Sequence, residues 1–110
     1  MKIETRELKH VSVVKVVGRV DSATAPDLEK SLQSLVDSDR NQIVLDLQET
    51  EYMSSAGLRV LVTMLKAAKK NGGDLRLSQL SLRVKEVLEL SGLTPVFGIY
   101  PDVVEAVGSF

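Results

Sequence analysis

Two rhythms alternate along these 110 residues, and their alternation decides what the chain can fold into. Short apolar runs are separated by longer stretches whose apolar residues recur every three to four positions, the spacing that lines one face of a helix. Val11-Ser12-Val13-Val14-Lys15-Val16-Val17 is rich in β-branched residues and predicts a strand buried on much of both faces. A weaker strand, Ile3 to Leu8, precedes it, with Lys9 and His10 near the turn, and Gly18-Arg19-Val20-Asp21-Ser22 is expected to leave the sheet. Thr24-Ala25-Pro26-Asp27 has the form of a helix start: a hydroxyl cap, an early proline and an acid three residues on. Leu28, Leu32, Leu35 and Val36 give that helix its apolar face, and Asp37-Ser38-Asp39 closes it.

Ile43-Val44-Leu45-Asp46-Leu47 reads as a central strand. A polar loop from Gln48 to Glu51 then leads through Tyr52-Met53 to a second amphipathic helix, marked by Leu58, Leu61, Val62, Leu65 and Ala68. Lys69 and Lys70 lie in its last turn, where the helix dipole favours cations, and Asn71-Gly72-Gly73 stops it. Leu75-Arg76-Leu77 is a third buried strand. Ser81 caps a helix faced by Val84, Val87 and Leu88 and ended near Gly92. Phe97 to Tyr100 forms a short edge strand, and Pro101 opens a last helix carrying Val103, Val104 and Val107. The order is ββαβαβα, then a short strand and a final helix. It predicts an α/β fold in which a mixed, mostly parallel sheet packs with about four α-helices. Length and unbroken patterning imply one domain over residues 1–110.

Composition narrows the function classes. Leu, Ile and Val supply 35 residues, enough for a core. With no cysteine and a single histidine, His10, thiolate metal sites, iron–sulfur clusters, thiol nucleophiles and multi-histidine metal sites are excluded within one chain. Aromatics are only 4% and the net charge is −1, so neither a base-stacking surface nor a global field draws the chain to nucleic acid. No apolar run approaches the ~20 residues of a membrane helix. Met1-Lys2-Ile3-Glu4 carries no signal-peptide core, so no membrane association and a cytoplasmic location are expected. The charge is unevenly laid out: residues 21–51 hold eight acids against two bases, and residues 52–85 hold seven bases against Asp74.

The chemistry-bearing segment is Asp46-Leu47-Gln48-Glu49-Thr50-Glu51-Tyr52-Met53-Ser54-Ser55-Ala56-Gly57-Leu58. It sets two hydroxyls at a loop-to-helix junction beyond the carboxyl end of a central strand, where open α/β sheets concentrate functional groups. Serine also suits that place as a plain helix cap. Met53 and Leu58 flank the pair and are expected to pack in the core. A serine hydrolase is disfavoured, because Met53-Ser54-Ser55-Ala56-Gly57 lacks the first glycine of Gly-x-Ser-x-Gly, and His10 belongs to the N-terminal hairpin. Gly72-Gly73 ends a helix where a phosphate-binding loop would open one. No enzyme activity is expected.

Tyr52-Met53-Ser54-Ser55-Ala56-Gly57-Leu58-Arg59-Val60-Leu61 resembles the signature of bacterial anti-sigma factor antagonists of the STAS-domain family. In that pattern, roughly Met-Asp-Ser-Ser/Thr/Ala-Gly-Leu, the first serine after the aspartate is phosphorylated. Val17-Gly18-Arg19-Val20-Asp21 is similar to the family's turn before its first helix, and Ile43 to Leu47 to its central strand. Lys69 to Leu75 and Val87 to Leu93 match later landmarks, so the resemblance spans about residues 3–108. Aligned on Gly57-Leu58, it puts the phosphoacceptor on Ser55, with Ser54 as the alternative. Ser54 stands in the aspartate position and Ala56 in the second hydroxyl position, the two departures from the pattern.

The resemblance further implies a partner-switching cycle. The unphosphorylated antagonist binds an anti-sigma factor that is also a serine kinase of the GHKL ATPase type, and the sigma factor is released. Phosphorylation reverses this, and a serine phosphatase restores the antagonist. ATP and Mg²⁺ belong to the kinase, so no cofactor is expected in this chain. The partner surface would comprise Asp21, Ser22, Thr24, Ser54, Ser55, Ala56 and Gly57, with the chain a monomer or weak dimer. Two other roles within the same fold are the STAS subunit of a lipid-transport ATPase and a stress-signalling scaffold.

Overall fold

The computed structural model describes residues 1–110. Strands β1 (Lys2–Leu8) and β2 (Val11–Val20) form a hairpin, followed by α1 (Ala25–Asp37), β3 (Gln42–Asp46), β4 (Thr50–Met53) and α2 (Ser55–Lys70). β5 (Asp74–Ser78), α3 (Leu82–Leu90), β6 (Gly98–Tyr100) and α4 (Val103–Gly108) complete the chain, with a 3-10 turn at Thr94–Val96 before β6. The sheet runs β1-β2-β3-β5-β6, and β4 pairs with the far end of β2. Only the β1–β2 pairing is antiparallel. The predicted mixed, mostly parallel sheet with four helices is what forms.

Strand alternation divides the core between the two faces. Val14 and Val16 of β2, Ile43 and Leu45 of β3, and Leu75 and Leu77 of β5 join the larger cluster. There they meet Leu28 and Leu32 of α1, Leu61, Met64 and Leu65 of α2, and Val84 and Leu88 of α3. Val11, Val13 and Val44 point the other way and are covered by Val103 and Ala106 of α4. Met53 and Leu58 are in the core, as their flanking positions predict. No helix is long and apolar enough to cross a membrane.

Four local expectations are corrected. β2 does not end at Val17; it continues to Val20 across a register shift between Gly18 and Arg19. Gly18 sits there at φ +100, a conformation that a side chain disfavours. The segment after β3 is not wholly a loop, because Thr50–Met53 pairs in parallel with Gly18–Val20. Thr50 anchors it by donating from its hydroxyl to the Val16 carbonyl at 2.8 Å. The last helix is capped by the Asp102 carboxylate, which accepts the Glu105 N–H at 2.8 Å, and Pro101 lies before it. Val104 is 80% exposed and does not join Val103 in the core.

Candidate functional site

β4 brings the candidate residues together. Its last residue pairs with Val20, and the next N–H, of Ser54, donates to the Val20 carbonyl at 2.8 Å. The turn after β2 and the start of α2 are thereby held side by side at one end of the sheet. Gly57 tightens the junction. It is buried, and a Cβ there would overlap Met53 Sδ and sit 2.8 Å from Val20 Cγ1. Helix α2 can approach β2 and β4 this closely only with glycine at that position. Gly57 therefore shapes the site from beneath.

The two serines have different tasks. Ser54 is extended, with φ −82 and ψ 172, and its hydroxyl accepts the Gly57 N–H at 3.2 Å. That is an N-cap, satisfying one of the free donors at the start of the helix. Ser55 is the first residue of α2 and is exposed, and no hydrogen bond within the chain engages its hydroxyl. The first turn of α2 carries no acid, so the positive end of the helix dipole is not offset there.

Asp21 organises the adjoining turn. Its Oδ1 accepts from the Ala23 N–H at 3.0 Å and the Thr24 N–H at 3.1 Å. The Thr24 hydroxyl accepts the Asp21 N–H at 2.9 Å, and its single proton lies between the Arg19 carbonyl at 3.0 Å and Asp21 Oδ1 at 3.2 Å. Thr24 thus bonds backward into the turn and does not cap α1, contrary to the sequence expectation. The Thr24 N–H holds the Asp21 carboxyl below its ordinary pKa, and the Ala23 N–H, the Thr24 hydroxyl and the Arg19 charge add to this against a smaller opposing effect of burial.

Ser22 and Ala56 both line a groove of about 750 Å³ between α1 and α2, with Glu29, Lys30 and Arg59 among its other lining residues. All seven sequence candidates therefore cluster around one junction, six at or near its surface and Gly57 below. His10 is exposed at the β1–β2 turn, ten residues of strand from Val20, or ~30 Å at the usual rise. No Ser–His pair is formed. Three further residues border the junction: Arg19, whose guanidinium lies 4.4 Å from the Tyr52 ring centroid, Tyr52 itself, and Arg59. The four-residue spacing from Ser55 to Arg59 was the sequence signal for the last.

Known proteins share this fold. Residues 2–106 match the STAS domain. The protein BtrV of Bordetella bronchiseptica is 36% identical over 99 residues, covering 90% of this chain and 85% of BtrV. The anti-sigma-B factor antagonist of Staphylococcus aureus is 33% identical over 93 residues, covering 84% of this chain and 86% of that protein. The crystal structure of an anti-sigma factor antagonist from Mycobacterium paratuberculosis superposes with a TM-score of 0.89 at 28% identity, over 98% of this chain and 92% of that one. The chain belongs to the STAS-domain family, among its anti-sigma factor antagonists.

Proposed function

We propose that this chain is an anti-sigma factor antagonist that binds an anti-sigma factor with serine kinase activity and is switched off by phosphorylation of Ser55. The observation that carries the reading is the division of labour at the start of α2. The Ser54 hydroxyl is committed to the Gly57 N–H, whereas the Ser55 hydroxyl is exposed and unengaged. In the switching step the γ-phosphoryl group of ATP passes to Ser55 Oγ, the hydroxyl proton leaves to the kinase, and ADP is released. A serine phosphatase returns serine and inorganic phosphate by hydrolysis. This chain contributes a substrate hydroxyl and a binding surface, and the catalytic groups, ATP and Mg²⁺ are the kinase's.

The physics favours a switch that spares the fold. Phosphate adds ~1.5 to 2 negative charges at a helix start, where the dipole and free N–H groups accept an anion. A partner pressed on the same spot must desolvate that charge, and ~1.4 kcal/mol of cost weakens binding tenfold. Asp21, Ser22, Thr24 and Ala56 complete the contact surface around it. The test is a binding and labelling series with the cognate kinase. Ser55→Ala should keep binding and take up no phosphate from ATP, while Ser55→Asp should fold but bind more weakly. Labelling that persists in Ser55→Ala and vanishes in Ser54→Ala would move the switch to Ser54. Absence of any kinase that binds or labels the chain would overturn the reading in favour of a transporter subunit.

A further inference from the structure

Arg59 is the one cation close to Ser55 along α2 that the fold does not use. It is exposed, and it takes part in none of the four ion pairs, in neither ring stack and in no side-chain hydrogen bond. Ser55 and Arg59 are four residues apart on the same helix, with the hydroxyl toward the N-terminus. At that spacing, Cβ atoms lie ~5–6 Å apart and an anion preceding a cation is the favourable order. A helical side chain also leans back over the turn that precedes it, so a long arginine at position 59 naturally covers the ground above Ser55. We infer that Arg59 is the phosphate clamp of the switch: once Ser55 is phosphorylated, the Arg59 guanidinium closes on the phosphate as an ion pair along the helix. This rests on the reading of Ser55 as the acceptor.

The competing cations are occupied or displaced. Arg19 lies over Tyr52, and Lys30 belongs to the opposite wall of the groove beside Glu29. The acids that share its groove, Glu29 and Asp37 of α1, form no ion pair with Arg59, and Asp21 is already bonded within its turn. Guanidinium also matches phosphate as a planar two-pronged donor, which a lysine ammonium does not. A clamp of this kind has a second consequence. Arg59 lines the α1–α2 groove beside Ala56, so capturing it removes a free cation from the partner-facing surface at the moment the phosphate appears.

The experiment installs phosphoserine at position 55 by genetic encoding, so it needs no kinase. The second ionisation of the phosphate is followed by phosphorus NMR in the otherwise unchanged chain and in Arg59→Gln, Arg59→Lys and Lys66→Gln. Free phosphoserine titrates near pH ~6. The parent midpoint should lie below that of Arg59→Gln by roughly 0.2 to 1 pH unit, the span from an exposed helical pair to a two-pronged bond. Arg59→Lys should keep part of the shift. Lys66→Gln, which removes the same charge eleven residues from Ser55, or ~16 Å along the helix, should leave the midpoint in place. The phosphate-dependent change in melting temperature should shrink in Arg59→Gln, shrink less in Arg59→Lys and stay unchanged in Lys66→Gln. Equal midpoints in the parent and Arg59→Gln, or equal shifts in Arg59→Gln and Lys66→Gln, overturn the clamp. That failure is separate from failure of the proposed function, which shows as no labelling of Ser55 by any kinase.

Discussion

Exchanging Ser54 and Ser55 one at a time for alanine separates the capping serine from the one whose hydroxyl is free. Ser54→Ala deletes the acceptor of the Gly57 N–H and leaves that donor at the helix start without its cap. Losses of this kind cost ~1 kcal/mol, within a range of ~0.5–2. In a chain of 110 residues, this lowers the melting temperature by about 4–6 °C. Ser55→Ala removes a hydroxyl bonded to nothing and installs a better helix former, so its effect should stay within about 0.5 kcal/mol of the parent. Ser54→Asp is the decisive third variant. It keeps a cap, puts a carboxylate at the positive end of the dipole, worth ~0.3–1 kcal/mol, and restores the residue that the family pattern carries there. Its stability should match or exceed the parent's. Urea unfolding followed by circular dichroism reads all three, with the slope against urea unchanged so that midpoints compare directly. If Ser55→Ala costs as much as Ser54→Ala, or if Ser54→Ala costs nothing, the assignment of cap and free hydroxyl is refuted.

Two further outcomes are expected. Gly57→Ala places a methyl against Met53 Sδ and Val20 Cγ1, and overpacking of this kind costs ~1–3 kcal/mol. Alanine's helix propensity, favourable by up to ~1 kcal/mol, offsets part of this, so chemical denaturation should show a net loss, and a gain would mean the junction is looser than described. Asp21 has its folded pKa lowered below 3.8, chiefly by the Thr24 N–H. Its stabilising contribution is therefore present above that value and fades as pH falls through the folded pKa. Lys15 is raised above 10.5, first by its hydrogen bond to Glu49, so its contribution holds below 10.5 and fades as pH rises through the folded value. Melting curves against pH should flatten on the acid side in Asp21→Asn and on the alkaline side in Lys15→Met, and unchanged slopes would remove both groups from the balance.

The elements that were legible in the sequence are those whose pattern is local and long. Val11 to Val17 announced β2, and Leu58, Leu61, Leu65 and Ala68 announced α2, because each carries enough repeats of one period. β4 was not legible. Thr50, Glu51, Tyr52 and Met53 show no clear alternation, and they become a strand only because β2 runs on past Gly18 and offers them a partner. Thr24 misled for a different reason: the Asp21 carboxylate, three residues earlier, takes the local N–H groups and turns the threonine backward. The six-residue α4 buries Val103 and Ala106 but leaves Val104 outside. The site was located by the Ser54-Ser55 pair, yet which hydroxyl is free depends on the extended backbone of Ser54, and sequence spacing does not encode that.

Serine in place of the family's aspartate leaves one local function intact and changes another. As a cap, Ser54 does what an aspartate would do, because both side chains accept from the third residue of the helix. As a charge, it does not. With aspartate there, the start of α2 would carry a negative charge before any modification, and phosphate would add to it. Here the first turn of α2 holds no acid, so phosphorylation of Ser55 would take this helix start from neutral to roughly −1.5 to −2. The contrast between the two states is then set almost wholly by the phosphate. On the proposed reading, a kinase at this site has no carboxylate at position 54 to use as a recognition handle. The absence of an adjacent carboxylate also removes one source of repulsion toward an incoming ATP γ-phosphate, and Ser54→Asp should therefore slow labelling of Ser55 by a kinase adapted to this chain even as it stabilises the fold.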